Sequence, residues 1–276
     1  MATETETTRA AALLPTPESA VSPVAWIPVV ALLAVVVLVS VVLSLPFPVP
    51  LAAGLILAAA WWLRVRSVVR RAYPAAVARL GVEHGAATTA RFDNVLDGLV
   101  LTMGVARPEV RIVKEETPVA AALAGTAGGA VLVVSTGMLE GLGRLEHEAL
   151  VALLLDRIRS GHARNVLVAE ALSGLPRLPL LSGLVRRARE ALVPDGADVA
   201  IDLDAVRVTR FPPALADVLE RIRDHGSPCG NRALGSLRSS WVASPAAHDA
   251  AVVGSLPSLV GRETALVDRI DMVKES

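Results

Sequence analysis

The stretch RLEHEALVALLLDRIRSGH, residues 144–162, decides what kind of domain this chain builds. From Ala149 to Leu155 every residue is apolar, which marks a helix sunk in a core rather than lying on a surface. A helix is therefore predicted over 146–160, and it opens with the pair His147-Glu148. Two histidines four apart share a helix face and can chelate zinc. Here the residue one turn after His147 is Val151, and the next histidine, His162, lies beyond Gly161. On its own the pair reads as a solvated His-Glu at a helix start.

Outward from this helix, the spacing of Phe92, Val95, Leu96, Leu99 and Met103 predicts a helix over 92–104, stopped by Gly104. EVRIVK (109–114) alternates like a strand, and AVLVVST (130–136) reads as a buried strand. PVAAALAGTAGG (118–129) lies between them. It lacks GxGxxG, a following Lys-Ser/Thr and a following helix, so it reads as a flexible crossing and not as a phosphate loop. Further helices are expected at 164–172, 183–192 and 214–224. The fold class is α+β and mostly helical, with a small sheet.

The chain has 276 residues and a formal net charge of zero, with Lys114 and Lys274 as its lysines. That balance excludes a nucleic-acid surface, which needs a basic excess. The hydrophobic content is 53% and concentrates before the domain. Residues 24–45 are uncharged and long enough to cross a bilayer. PFPVP (46–50) is expected to break the helix, and 51–63 forms a second apolar run ending at Trp61 and Trp62, where an interfacial belt would sit. A signal peptide is disfavoured by the long apolar run and its acidic amino-terminal flank. Residues 24–63 thus read as a transmembrane hairpin. Arg64, Arg66, Arg70 and Arg71 then place the rest in the cytoplasm, at the inner membrane. Residues 1–23 read as a disordered polar tail, 64–90 as a juxtamembrane helix broken or kinked at Pro74 plus a linker, and 91–276 as the domain. The single Cys229 excludes an intrachain disulfide and has no evident activating base. No GxSxG or SxxK nominates a serine nucleophile.

Residues 92–270 resemble the HtpX-like and CAAX-prenyl-protease-like membrane zinc metallopeptidases of the gluzincin type. The resemblance runs through GVARPEVRIV, TPVAAALAG, VLVVSTGMLEGL and EHEALVALLLDRIRSGH, with Thr136, Gly137 and Leu139 fixing the register. In that register Glu146, Glu148 and Ile158 match, and the family's HExxH falls on LLLDR. Leu153 stands at the first zinc histidine, Leu154 at the general-base glutamate and Arg157 at the second zinc histidine. The third-ligand motif ExxAD appears as PDGAD (194–198), with Pro194 on the ligand and Ala197-Asp198 kept. The family's carboxy-terminal HPPLxxRI appears as ETALVDRI (263–270), keeping Arg269-Ile270.

Leucine has no lone pair for a metal, and arginine only donates. The resemblance therefore implies a metallopeptidase-like domain without zinc or catalytic residues. An ion pair Arg157–Asp198 is expected where the metal would sit, with Asp156 turned away. The implied role is that of a scaffold or regulator, partnered by the lipid bilayer and by a protein such as an active homologue. Strand 130–136 is expected to be an edge able to accept a peptide. The rival reading is an active zinc metalloendopeptidase with a relocated site drawn from His147, Glu148, His162 and Asp195. A third is a plain membrane anchor.

Overall fold

The computed structural model describes residues 17–42, 48–80, 90–175, 179–194, 196–225, 240–242 and 266–276. Two long helices come first, α1 (Pro17–Val42) and α2 (Pro48–Arg79), and both are long and apolar enough to cross a membrane. They run antiparallel and close: the Trp61 indole donates to the Val24 carbonyl at 3.1 Å, and a Cβ on Gly54 would come within 3.0 Å of Val36. Trp26, Ile27, Val30, Leu55, Ile56 and Leu57 are exposed on their outer faces. An apolar surface of this kind suits lipid better than water.

Two boundaries differ from the sequence reading. Helix α1 starts at Pro17, inside the stretch expected to be a disordered tail. Proline suits a first helical turn, and Ala20, Val21, Val24 and Ala25 are buried together with Val168, Leu172 and Leu192 of the domain. The expected break at 46–50 narrows, because the helix resumes at Pro48; residues 43–47 lie outside the described residues. Helix α2 then runs unbroken past Arg64 and through Pro74 to Arg79, and its Ala76 is buried with the sheet. Residues 64–79 are thus one helix with the second apolar run. The expected linker at 81–89 lies outside the described residues.

The domain opens with α3 (Ala90–Met103), ended by Gly104 at φ 64°, and continues through β1 (Glu109–Val113), β2 (Ala120–Ala124) and β3 (Ala130–Ser135). Their spatial order is β1-β3-β2, with β1 parallel and β2 antiparallel to β3. Two expectations are corrected here. The supposed flexible crossing 118–129 contains a strand, β2, and β3 is central rather than an edge. Both faces of the sheet are covered. Ala120, Ala122, Leu132 and Val134 face the main core, while Ala121, Leu123, Val131 and Val133 face the cluster containing Ala76 of α2. Every β2 residue is buried, and small side chains let helices approach from both sides.

A short helix α4 (Thr136–Glu140) leads to α5 (Arg144–Arg159), followed by α6 (His162–Ser173), α7 (Pro179–Leu192), α8 (Ala197–Thr209), α9 (Pro212–His225) and α10 (Leu266–Glu275). Helix α5 is the axis of the core: Ala149 through Arg157 are all buried. The mostly helical α+β reading stands, while α4, α8 and α10 are helices it did not anticipate.

Candidate functional site

The amino-terminal end of α5 is a cap. Glu146 accepts from the Gly143 amide, and His147 turns its Nδ1 to the Gly143 carbonyl at 2.7 Å. His147, expected to be solvated, is instead buried, with its ring edge-on to Phe92 at 6.3 Å between centroids. Glu148 borders a surface groove with Arg91, Asn94 and Arg144. His162 begins the next helix, so the whole of α5 separates the two histidines, about 20 Å at 1.5 Å per residue. The structure does not bring them together. Asp195 and Cys229 lie outside the described residues.

The carboxy-terminal end of α5 carries the chemistry. A tight turn at Gly161, φ 79°, starts the next helix at His162, which comes near the same Asp198 oxygen as Arg157, and α8 presents Asp198 and Asp202 one turn apart on the same face. From α10 comes Arg269. All five are buried. Arg269 grips Asp202 through a two-point fork, Nε to Oδ2 at 2.7 Å and Nη2 to Oδ1 at 2.8 Å. Burial pushes the Asp202 carboxyl above its ordinary range, and the Arg269 fork opposes that push. Asp156 turns to Arg159, with oxygen–nitrogen distances of 2.9 and 2.6 Å.

Arg157 lies 3.8 Å from Asp198, an ion pair without a hydrogen bond. Its donors go elsewhere: Nη1 to the Trp241 carbonyl and Nη2 to the Val242 carbonyl, both at 2.7 Å. Arg269 Nη1 reaches the same Val242 carbonyl at 2.9 Å. Asp198 Oδ1 is 3.5 Å from His162 Nε2. Burial foremost, and then the charge of Arg157, lower the His162 pKa to about 4, against the pull of Asp198, so the ring is neutral at pH 7.

This set does not suit zinc. Leu153 and Leu154 are fully buried among apolar neighbours and offer no lone pair. Pro194 gives only a carbonyl, which accepts from the Ala197 amide. Asp202 is engaged through both oxygens by Arg269, which leaves His162 and Asp198, and a dication beside them would face two guanidiniums. Among the described residues there is no group of three or more His, Cys, Asp or Glu able to hold a metal ion. What the cluster can do is hold backbone carbonyls. Sequence reasoning noticed Arg269 only as a kept position and missed Asp202, whose spacing of four from Asp198 was the available signal. It missed Trp241 and Val242 altogether, since three residues carry no period.

Two curated proteins named Protease HtpX homolog are similar to this chain. The one from Dictyoglomus thermophilum is 24% identical over 207 residues, covering 64% of this chain and 66% of the relative. The one from Dictyoglomus turgidum is 25% identical over 173 residues, covering 49% and 54%. The chain therefore spans a little under two thirds of the first relative's length and about half of the second's. No family model and no solved structure matches. The likeness is distant; it supports an HtpX-like relationship.

Proposed function

We propose that this chain is a membrane-anchored pseudopeptidase, a metallopeptidase-like domain that engages other proteins without cutting them. The observation that carries the reading is the fate of Arg157. It stands at the position the resemblance gives to a zinc histidine, and its guanidinium is committed to two carbonyl oxygens beside Asp198. Leu153 and Leu154, at the other two motif positions, sit in dry core where neither metal nor water is activated. In this reading the domain lies on the cytoplasmic side of the cell membrane, which the four juxtamembrane arginines favour. Its partner in this reading is a protein, for instance an active homologue.

The relatives' printed name, Protease, favours a second reading: a zinc endopeptidase whose ligands include residues outside the family register. One measurement separates the two. The full chain, purified in detergent without chelators, is assayed for zinc by elemental analysis before and after zinc loading and washing. The pseudopeptidase reading expects close to no zinc per chain and no cleavage of casein. Stoichiometric zinc, lost in His162→Ala, would put the enzyme reading in its place.

A further inference from the structure

Helix α2 carries five arginines, Arg64, Arg66, Arg70, Arg71 and Arg79, and no acidic residue. The chain as a whole balances 27 basic against 27 acidic residues, so this helix holds a local excess. One side of it is covered by the domain. Val65 is buried with Val168 and Leu172 of α6, and Ala76 with the sheet. Arg64, Arg66, Arg70 and Arg71 are exposed on the remaining sides, and among the described residues no ion pair engages them. Arg66 and Arg70 are four apart, a spacing at which like charges repel across one helix face. An anion lying against them would relieve that repulsion.

The packing sets the height of these side chains. The Trp61 indole donates to the Val24 carbonyl, which locks α2 beside α1 at this level. On α2 the exposed large apolar side chains end at Leu63, and Arg64 follows at once. In the membrane-anchored reading, Trp61 and Trp62 mark the boundary of the hydrocarbon. Arg64 and Arg66 then stand about 5 and 8 Å above Trp61, inside a headgroup layer about 5–8 Å thick. Arg70 and Arg71 stand about 14–15 Å above it, within about one Debye length of that layer. The Arg66 guanidinium lies 5.0 Å from the centre of the Trp62 ring, a contact that holds it at this depth. A guanidinium fork matches two phosphate oxygens, which a point charge does not. A zwitterionic headgroup also has a phosphate, but its ammonium cancels the charge that four cations would meet.

We infer that Arg64, Arg66, Arg70 and Arg71 form a headgroup site for anionic phospholipid on the uncovered side of α2. Arg64 and Arg66 hold the phosphate, and Arg70 and Arg71 add attraction from farther out. The site rests on the membrane-anchored reading and is independent of whether the domain binds zinc.

The test uses the full chain in phosphatidylcholine vesicles in which a small share of the lipid is brominated, with tryptophan quenching as the readout. Trp61 and Trp62 stand next to the site, and labelled lipid in both leaflets makes the orientation of insertion immaterial. Brominated phosphatidylglycerol is expected to be enriched at least about fivefold over brominated phosphatidylcholine, the factor one arginine supplies near an anionic surface. Replacing all four arginines by glutamine is expected to abolish the preference. Arg79→Gln, about 27 Å from Trp61 along the helix and well beyond screening, should leave it intact. Equal quenching by the two lipids in the wild type overturns the site. So does a preference that survives the fourfold substitution, or one that Arg79→Gln lowers equally. Competition by millimolar inorganic phosphate as strong as that by unbrominated phosphatidylglycerol would overturn the lipid assignment in favour of the free ion. Should the fourfold variant fail to reconstitute, Arg64→Gln with Arg66→Gln and Arg70→Gln with Arg71→Gln are read separately. Each pair is expected to lower the preference, and no change in either overturns the site. A chain that stays in solution without detergent overturns the membrane reading and the site with it. A chain that needs a bilayer yet ignores headgroup charge overturns the site alone.

Discussion

His162 is where a single residue's chemistry has the largest readable consequence. Three elements face it: Arg157 from α5, Asp198 from α8 and Arg269 from α10. Its pKa in the folded chain is lowered to about 4, below the ordinary 6.5. Between these values the unfolded chain binds a proton that the folded chain does not, so stability rises with pH across that window. The contribution is complete above about pH 6.5 and is lost as pH falls toward 4. The depression corresponds to about 3 kcal/mol at its limit. His162→Gln is therefore expected to flatten the acid limb of a denaturation series from pH 7 to 4, leaving carboxylate effects behind. An unchanged slope would mean that the ring is not buried neutral. At this scale the sequence was legible wherever a residue type is incompatible with a task. Leu153, Leu154, Arg157 and Pro194 could each be excluded as zinc side-chain ligands without coordinates. The direction in which Arg157 points was not legible, because its carbonyl partners lie more than eighty residues away.

Among the elements, the turn from β3 into α4 shows why Thr136 and Gly137 hold the register of the resemblance. Thr136 exchanges hydrogen bonds with the Glu115 backbone, and the Gly137 amide donates to the Glu115 carbonyl at 2.9 Å. A Cβ on Gly137 would lie 1.8 Å from the Glu116 carbonyl oxygen, and backbone pinned on both sides cannot move aside. Gly137→Ala is expected to cost about 3 kcal/mol or more, the upper range of overpacking. Gly141 provides the contrast. The three atoms nearest a Cβ there all belong to the Arg221 guanidinium, the far end of a flexible side chain that can swing away. Gly141→Ala should cost under about 1 kcal/mol. Urea midpoints of the two variants check this, and equal costs would refute the backbone argument. Helices with a clear period were found to within a few residues, but β2 was not. AAALA is built of small residues because helices cover both sheet faces, so it has neither alternation nor branched bulk.

For the whole molecule, the decisive feature is that the two long apolar helices pack against the domain. The first turns of α1 and the Val65 turn of α2 are buried with α6 and α7, and the end of α2 is buried against the sheet. The start of α1 and the end of α2 therefore lie on the domain's side, as a hairpin requires. Packing alone fits either orientation across a bilayer. Charge breaks the tie: Arg64, Arg66, Arg70 and Arg71 follow the second apolar run at once, and cytoplasmic flanks retain such residues. A cytoplasm-active reporter fused after Ser276 is expected to work and a periplasm-active one to fail. Replacing all four arginines by glutamine, which keeps the helix but removes the bias, should mix the two signals. Strong periplasmic activity from the unaltered chain would reverse the topology. The domain that buries Arg157 and Arg269 would then lie in a compartment that a cytoplasmic partner could not reach.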